Sequence, residues 1–537
     1  MKKINGKVIL IVVIWLLIIG LLVYSRFINL GWSLPYPMHP DERNMANAIQ
    51  QLSCEFSNLK DCFNPHFFAY GQLPLYLGYF LIWVVRGFRD FGKIIINFEE
   101  AVMSLRIISA MASVINAIII IKIIKNIIKK NSYLLFTRHS FSEGGSFISY
   151  LLVIFSPFFI QFSHFGTTES LLMLFYSLIV YLSMRLLERR TTYEVVWIAL
   201  VSGLAVATKV SSAVFLVIPA TAIIMRSFDA SLRSLLKITK TILNFFLLTV
   251  IVFVIFSPHN LINFQDFVGS MRYESDVALG TVLVFYTRQF VDSIPIVFQF
   301  KKVFPYALGL SIFISSLLGL VFLSWRDKKI NFLRFAILVY LIPSAFLYAK
   351  WSRFMSPVFP LMLVLAILFL EKIKVINVIK IIIVIIAILP GLAYLSIYQN
   401  PDVRFQASEW IYKNIPENSL VISETANVID IPLTYKKNIN VISFNFYDLD
   451  ESPELQSELK KYLEKADYIF VPSRRLFANH LKDKYPLLNN YYNKLFSGQL
   501  GFTKVAEFSA GLNDEAAEET WTVFDHPVIR IYRRKSL

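Results

Sequence analysis

The sequence has 537 residues, of which 56% are hydrophobic and 15% aromatic, and its mean hydropathy is +0.57. Soluble domains are only about 45–50% apolar, and they lack the repeated apolar runs, each long enough to cross a bilayer, that this chain contains. The composition therefore excludes an ordinary soluble protein and indicates a polytopic membrane protein.

The formal net charge of +16 is unevenly distributed along the chain. Residues 400–537 contain 17 Lys and Arg and 19 Asp and Glu, so the preceding part carries a net charge of +18. These positive charges lie mostly in short segments between apolar runs, which is the pattern of cytoplasmic loops in membrane proteins. The basic character therefore reports the topology and does not indicate a nucleic-acid partner.

The apolar runs predict a bundle of about 11–13 transmembrane helices. With the basic segments on the cytoplasmic side, the approximate spans are 8–28, 104–122, 147–163, 168–186, 194–208, 212–226, 240–256, 304–324, 332–348, 355–371 and 376–398. This number of crossings is odd, so a cytoplasmic amino terminus puts the carboxy-terminal region outside. We interpret 8–28 as a retained membrane helix, because no small-residue cleavage site follows it.

The apolar segment 73–88, "LPLYLGYFLIWVVRGF", does not fit this topology as a further crossing. Counted as a crossing, it would put the basic segment "KIIKNIIKK" on the outer side, against the charge pattern. We therefore predict a re-entrant or interfacial element within one large outer loop, residues 29–103. An undetected partner crossing is the alternative.

The pattern changes after residue 399, where short runs rich in β-branched and aromatic residues replace the long apolar ones. Runs of this kind predict strands in "SLVISE", "INVISFNF", "ADYIFVPS", "KVAEFS" and "TWTVFDHPVIRIYRR". The segment "SPELQSELKKYLEKA" predicts an amphipathic helix. We expect a transmembrane domain at 1–399 and a soluble extracytoplasmic α/β domain at 400–537, a length typical of one domain.

The two cysteines, Cys54 and Cys62, both lie in the loop that follows the first span. A loop on the outer side faces an oxidising compartment, where disulfides form and persist. We therefore predict a disulfide between Cys54 and Cys62. Two free buried thiols are the alternative.

Acidic residues occur at the outer ends of two predicted helices. Asp41 and Glu42 belong to "HPDE" at 39–42, where the proline suits a first helical position and the carboxylates complement the helix dipole. Glu169 opens the helix "ESLLMLF" in the same way. Helix capping explains these positions without any catalysis, but the start of a helix is also a rigid place to mount a catalytic carboxylate.

Three cations, Lys209, Arg272 and Arg353, are predicted at the same outer boundary. Snorkelling of a long side chain towards water explains any one of them. Together with the carboxylates they indicate a functional path, because ions at a membrane boundary are costly. A phosphate group would bind such cations, above all the forked donors of arginine.

Neither "GxxxxGK[ST]" nor "GxGxxG" occurs in the sequence, so it contains no nucleotide-binding motif of these two kinds. A transferase working on the outer face would have no access to nucleotide sugars. Its activated donor would have to be carried by a lipid.

Several longer motifs occur in order along residues 1–400. They are "HPDE", "YGQLPLYLGYFL", "FSHFGTTESLLMLFYSL", "LAVATKVSSAVFLVIPA", "YTRQFVDSIPIVFQFKKVFPYALG" and "WSRFMSPVFPLMLVLA". In these motifs the chain resembles the GT-C class of membrane glycosyltransferases, in the group of the protein O-mannosyltransferases and lipid A aminoarabinose transferase. The tail "DEAAEETWTVFDHPVIRIYRR" resembles the carboxy-terminal domain of bacterial members.

The resemblance implies transfer of a sugar from a polyprenyl-phosphate donor to a protein, glycolipid or cell-wall acceptor, with inversion, on the outer face of the cell membrane. It implies catalytic roles for Asp41, Glu42 and Glu169, although related sequences commonly have Asp in place of Glu169. It implies substrate binding by His39, Lys209, Arg272 and Arg353. No cofactor is required by the resemblance, and a divalent metal ion is left open.

The residues agree with this chemistry. Phosphate is a good leaving group, so a single general base is sufficient to deprotonate an acceptor hydroxyl. The departing phosphate needs cations to stabilise its developing charge.

The rival hypothesis is a transporter, or flippase, of lipid-linked sugars or polysaccharide. Transporters place their ionisable residues near the bilayer midplane and contain paired helix repeats. This sequence instead places its acids in outer loops, has no evident repeat and appends an α/β domain. We therefore favour the glycosyltransferase.

Overall fold

A computed structural model describes residues 6–55, 57–128, 147–188, 193–227, 232–373, 377–424, 430–433 and 438–535. Up to residue 400 the described residues are almost entirely helical. A five-stranded sheet with accompanying helices follows.

The helices of the first part vary from four to 31 residues in length. In chain order they are α1 (Gly6–Phe27), α2 (Pro40–Gln50), α3 (Leu73–Val85), α4 (Phe98–Ile128), α5 (Phe147–Ile154), α6 (Pro157–His164), α7 (Glu169–Glu188), α8 (Tyr193–Thr208), α9 (Val217–Ser227), α10 (Leu232–Phe256), α11 (His259–Ile262), α12 (Phe264–Leu279), α13 (Val297–Lys302), α14 (Phe304–Ala307), α15 (Leu310–Phe322), α16 (Lys328–Ala345), α17 (Ser352–Met355), α18 (Phe359–Lys372) and α19 (Asn377–Gln399).

Six helical segments in the described ranges are long and apolar enough to cross a membrane. They are Ile9–Phe27, Phe98–Ile128, Glu169–Glu188, Leu235–Phe256, Ser352–Lys372 and Ile381–Gln399. Shorter apolar segments of 10–17 residues accompany them at Leu73–Val85, Ile148–His164, Tyr193–Thr208, Val210–Arg226 and Leu310–Phe322. Each predicted span coincides with one of these segments or, for 332–348, overlaps α16. The predicted polytopic helical architecture is therefore confirmed.

Two of the predicted spans are interrupted. The helix predicted at 147–163 breaks between α5 and α6, where Pro157 opens the second helix and lacks the N–H that would continue the first. The helix predicted at 304–324 breaks at Gly309, whose φ of +78° is a conformation that favours glycine. At each break the chain changes direction, and the second helix remains in the bundle.

Helix α3 lies in the segment 73–88, which the predicted topology does not count as a membrane crossing. Its 13 residues extend about 20 Å at 1.5 Å per residue, which is less than the roughly 30 Å hydrocarbon core of a bilayer. It packs against α2 and α4. Gly78 permits the contact with α2, because a Cβ there would lie 2.6 Å from Cδ1 of Ile49. The length agrees with a re-entrant or interfacial element.

The carboxy-terminal part contains α20 (Val403–Asn414), β1 (Leu420–Glu424), β2 (Asn440–Phe444), α21 (Pro453–Lys465), β3 (Tyr468–Val471), α22 (Pro486–Phe496), β4 (Phe502–Phe508), α23 (Glu519–Thr522) and β5 (Ile529–Arg534). The strand order is β2-β1-β3-β5-β4. β1 pairs in parallel with β2 and β3, and β5 runs antiparallel to β3 and β4.

Side chains alternate across this sheet as strand geometry requires. On β1, Val421 joins one buried apolar cluster and its neighbour Ile422 joins another. The predicted strands and the predicted helix at 452–466 are therefore present in the described residues. α20 and α22 were not predicted.

One predicted strand is partly wrong. In "TWTVFDHPVIRIYRR", only Ile529–Arg534 is a strand. The preceding residues form α23 and an irregular segment, because their apolar side chains, including Trp521 and Phe524, are buried in the same cluster as the membrane helices. Burial against helices, which the local pattern could not reveal, overrides the β propensity of this stretch.

Candidate active site

The "HPDE" motif forms the amino-terminal end of α2, as predicted. His39 caps the helix, and its Nδ1 accepts the backbone N–H of Glu42 at 3.5 Å. Its ring is buried between those of Phe165 and Phe524, at centroid distances of 4.8 and 4.4 Å. Burial, together with nearby arginines, lowers the pKa of His39 well below its usual value. This geometry argues for a capping and packing role and against the substrate contact predicted for His39.

Glu42 is held in a buried ion pair with Arg106 of α4. The Nε and Nη2 groups of Arg106 donate to the two carboxylate oxygens, each at 2.7 Å. The two side chains are 0% and 2% exposed. Oε1 also accepts the backbone N–H of Gly166 at 2.6 Å, an approach that a Cβ at Gly166 would obstruct.

Arg106 also joins the loop after α1 to this cluster. Its Nη1 donates to the carbonyl oxygens of Leu30 and Trp32, both at 2.6 Å, and its guanidinium lies 4.5 Å from the centroid of the Trp32 ring. Both oxygens of Glu42 are occupied, so the geometry argues against the catalytic role predicted for Glu42. It favours a positioning role that fixes the start of α2.

Asp41 points to a different partner. Its carboxylate forms an ion pair with Arg353, and the two side chains are 18% and 19% exposed. The guanidinium of Arg353 lies 4.7 Å from the ring centroid of Trp351. Its Nε is buried and, in the part of the chain that the structure describes, has no hydrogen-bond partner. The structure thus brings together a predicted base, Asp41, and a predicted phosphate-binding cation, Arg353. The Nε group of Arg353 is not engaged by any described residue.

Glu169 and Lys209 form a second group beside this pair. The buried Glu169 begins α7, and Thr168 Oγ1 donates to its Oε1 at 3.4 Å. The Lys209 ammonium lies 5.0 and 5.3 Å from the ring centroids of Tyr70 and Phe354, and its charge interacts with that of Glu169. Phe354 follows Arg353 directly, so the two groups adjoin.

The loop between α2 and α3 holds Tyr70 in this position. The backbone N–H of Gly71 donates to the carbonyl of Thr208 at 3.0 Å, at the end of α8. Glu274 of α12, which the sequence analysis did not single out, also interacts electrostatically with Lys209. The second group therefore contains the carboxylates of α7 and α12 and the ammonium of Lys209, the residue that follows α8.

Arg272 is not part of either group. It is exposed on α12 and, among the residues with described positions, makes no hydrogen bond or ion pair. The structure gives no support to the substrate contact predicted for it.

The predicted disulfide is present. Cys54 and Cys62 are bonded in the loop between α2 and α3, and the loop is held from two sides. The N–H of Cys54 donates to the carbonyl of Gly92 at 2.8 Å, and His259 Nε2 lies 2.9 Å from the carbonyl oxygen of Cys62. Across the described ranges, no group of three or more His, Cys, Asp or Glu side chains is arranged to hold a metal ion.

Sequence reasoning missed the partners that hold this site together. Arg106 stood in an apolar helical run, and a lone arginine there requires a buried partner, a signal that could have been used. Phe524, whose ring packs on His39, gave no such signal because it lies in a segment interpreted as a strand. Glu518, which accepts the N–H of Ser352, gave none because it lies just before that segment, far along the chain from the site.

Comparison with known proteins agrees with this architecture. Residues 91–262 match the family model described as dolichyl-phosphate-mannose-protein mannosyltransferase. No curated protein sequence matches the chain.

Two solved structures are similar along most of their length. AglB, the archaeal oligosaccharyltransferase from Archaeoglobus fulgidus, in complex with an inhibitory peptide and a dolichol-phosphate, is 12% identical. It matches 89% of this chain and 72% of its own, with a TM-score of 0.51. ArnT from Cupriavidus metallidurans, bound to undecaprenyl phosphate, is 10% identical, with 97% of each chain matched and a TM-score of 0.50. At identities this low the likeness establishes a shared fold.

Proposed function

We propose that this chain, which has the fold of the GT-C membrane glycosyltransferases, transfers a sugar from a polyprenyl-phosphate donor to an acceptor hydroxyl on the outer face of the membrane. The ion pair between Asp41 and Arg353 carries this proposal. It holds a carboxylate and a guanidinium together at a partly exposed place beside the membrane helices.

The donor phosphate would compete with Asp41 for Arg353. A guanidinium binds phosphate oxygens through paired donors, and the buried Nε of Arg353 has no hydrogen-bond partner among the described residues. When the guanidinium turns to the phosphate, the Asp41 carboxylate loses its partner and becomes available as a base. Donor binding would thus prepare both the leaving group and the base.

The reaction balances with these two groups. The acceptor oxygen attacks the anomeric carbon and forms the new glycosidic bond, while the bond from that carbon to the phosphate oxygen breaks. The electron pair of the broken bond remains on the phosphate, where Arg353 stabilises it. Asp41 takes the acceptor proton. Attack opposite the leaving phosphate inverts the anomeric centre.

Lys209 and Glu169 are assigned supporting roles. Lys209 lies next to Phe354 and can add a second cation to the phosphate side of the site. The Glu169 carboxylate interacts with that ammonium and limits its freedom. Polyprenyl-phosphate recognition is consistent with the undecaprenyl phosphate and dolichol-phosphate in the ArnT and AglB structures.

The outer-face location rests on charge and on the disulfide. The chain outside residues 400–537 carries a net charge of +18, concentrated in the segments predicted to be cytoplasmic. The bonded pair Cys54 and Cys62 belongs in an oxidising compartment. Labelling from outside intact cells of a cysteine placed at Lys125, with the native cysteines removed, would contradict this orientation.

The proposal is tested with the purified protein in proteoliposomes. Polyprenyl-phosphate monosaccharides labelled in the sugar are supplied with extracts of cell-envelope protein, glycolipid or polymer as acceptors. We expect labelled product and free polyprenyl phosphate in equal amounts, with an inverted anomeric configuration. Intact labelled donor appearing in the opposite leaflet, without release of sugar, would instead identify a transporter.

A further inference from the structure

The segment Asp514–His526, here called the carboxy-terminal clamp, is embedded in the helical part of the protein. Its side chains Trp521 and Phe524 are 1% and 4% exposed and belong to the same apolar cluster as the membrane helices. Gln161 Nε2 of α6 donates to the carbonyl of Trp521 at 2.7 Å. The clamp is therefore a fixed part of the helical core and is not a surface linker.

Buried charges anchor the clamp to α19. His526 lies between two carboxylates, with Nε2 at 2.9 Å from Asp514 and Nδ1 at 2.5 Å from Asp525. Tyr394 donates to Asp514 and Tyr398 donates to Asp525, each at 2.7 Å. These hydrogen bonds and ion pairs fix the clamp to α19.

From this anchor the clamp supports the chain next to Arg353. Glu518 is 1% exposed, and its Oε2 accepts the backbone N–H of Ser352 at 3.0 Å. Its Oε1 accepts Gln289 Nε2 at 2.9 Å. The Glu518 charge also acts on the Arg353 guanidinium. A carboxylate of the clamp therefore fixes the residue before Arg353 and attracts its charged group.

The same clamp supports the chain next to Asp41. The ring of Phe524 packs on that of His39, with centroids 4.4 Å apart. His39 caps α2, and Asp41 lies two residues further along in the first turn of that helix. The clamp thus contacts Ser352, the residue before Arg353, and His39, which caps the helix that carries Asp41.

We propose that the clamp sets the geometry of the Asp41–Arg353 pair, with Glu518 and Phe524 as positioning residues. This inference rests on the proposed function. It makes the carboxy-terminal region a component of the catalytic centre, whereas an appended acceptor-binding module would leave that centre complete without it. Displacement of a catalytic group by about 1 Å can cost about 100-fold in rate, so loss of these supports has a measurable effect.

The test separates positioning from folding by steady-state kinetics and thermal unfolding. Phe524→Ala is expected to lower kcat about 10- to 100-fold. Phe524→Leu keeps most of the side-chain volume, so its kcat should lie between those of Phe524→Ala and the unchanged protein. Glu518→Gln keeps the shape and removes the charge, so we expect a several-fold rise in the KM for the lipid donor with a smaller change in kcat.

Two matched controls lie in the same region. Phe508→Ala removes a half-buried aromatic ring of β4 that packs near Trp410, away from the pair. Glu515→Gln neutralises a carboxylate of the clamp that pairs with Arg530. We expect both controls to retain the kcat and KM of the unchanged protein.

The outcomes are distinguishable from failure of the proposed function. If Asp41→Asn is inactive while Phe524→Ala and Glu518→Gln match their controls in kcat and KM, the clamp inference is overturned alone. If the two variants lose activity only in proportion to lost folded protein, the clamp is merely structural and the inference is also overturned. Full activity of Asp41→Asn would overturn the proposed function itself.

Discussion

The guanidinium of Arg353, at the start of the α17–α18 segment, forms an ion pair with the carboxylate of Asp41 in the first turn of α2. Each of these residues is partly exposed, in contrast to the fully enclosed pair that Arg106 forms with Glu42. The two neighbouring acids of the "HPDE" motif thus have different partners. Glu42 is enclosed with Arg106, whereas Asp41 is paired with a partly exposed cation. Under the proposed function, the donor phosphate would bind that cation in place of Asp41.

The first prediction concerns Arg353. Arg353→Ala should impair the use of the lipid donor more than Arg353→Lys, because lysine keeps the charge and loses the forked donors. We expect KM for the donor to rise in both variants, by about tenfold or more in the alanine variant, as for loss of a charge-assisted hydrogen bond. Steady-state kinetics with varied donor check this. Unchanged kinetics in both variants would show that Arg353 does not bind the donor and only extends its charged group towards water.

The second prediction concerns the buried pair. Arg106→Met should lower the free energy of unfolding by about 3–5 kcal/mol, because it leaves the Glu42 carboxylate buried and uncompensated. The double variant Arg106→Met with Glu42→Gln should recover much of that loss. Thermal unfolding in detergent gives the comparison.

The control for this measurement is an exposed pair between the end of α3 and the start of α4. Arg86 and Glu100 are 37% and 33% exposed and 2.6 Å apart. Arg86→Met should therefore cost at most about 1 kcal/mol. Equal losses in the Arg86 and Arg106 variants would refute the structural role assigned to Arg106.

The third prediction is a pH dependence of the carboxy-terminal clamp. Asp525 and Asp514 raise the pKa of His526 from about 6.5 to about 10 against the opposing effect of burial. A raised pKa in the folded state stabilises the protein fully below the unfolded value and loses that contribution as the pH rises through the folded value. The contribution of His526 to thermal stability should therefore be complete below about pH 6.5, decline progressively between about pH 6.5 and pH 10, and be absent above about pH 10.

The variant His526→Gln isolates this contribution. It should be less stable than the unchanged protein at pH 7, since Asp514 and Asp525 then lack a cation between them. The difference between the two proteins should shrink steadily between about pH 7 and pH 10 and then level off. A difference that stays constant between pH 7 and pH 10.5 would contradict the assignment.

Parts of this site follow from local sequence and parts do not. The start of α2 is encoded in four consecutive residues, and the bond between Cys54 and Cys62 joins neighbours in one loop. The pairing of Asp41 with Arg353 depends on how helices far apart in the chain pack together. Local patterns identified both residues and their common side but could not pair them.

The clamp shows the same limit from the other direction. Trp521 and Phe524 lie in a stretch rich in the aromatic and β-branched residues typical of a strand. The stretch is nevertheless not a strand, because these two side chains are buried against the membrane helices. The difference between Asp41 and Glu42 also required the structure, since it depends on the positions of their partners Arg353 and Arg106. The sequence therefore predicts which residues belong to the candidate site. Their pairing, from which the proposed roles are argued, depends on tertiary packing.

The most direct test of the account is the turnover number of Asp41→Asn in the proteoliposome assay. Asparagine keeps the shape and cannot accept the acceptor proton, so turnover should fall about 10²- to 10⁴-fold while expression and donor binding persist. Glu42→Gln and Glu169→Gln should be damaging, though less so. Asp90→Asn is the matched control and should be fully active. Asp90 is exposed in the loop between α3 and α4, and asparagine tolerates its φ of +52°. Normal turnover by Asp41→Asn would contradict the central claim that Asp41 is the catalytic base.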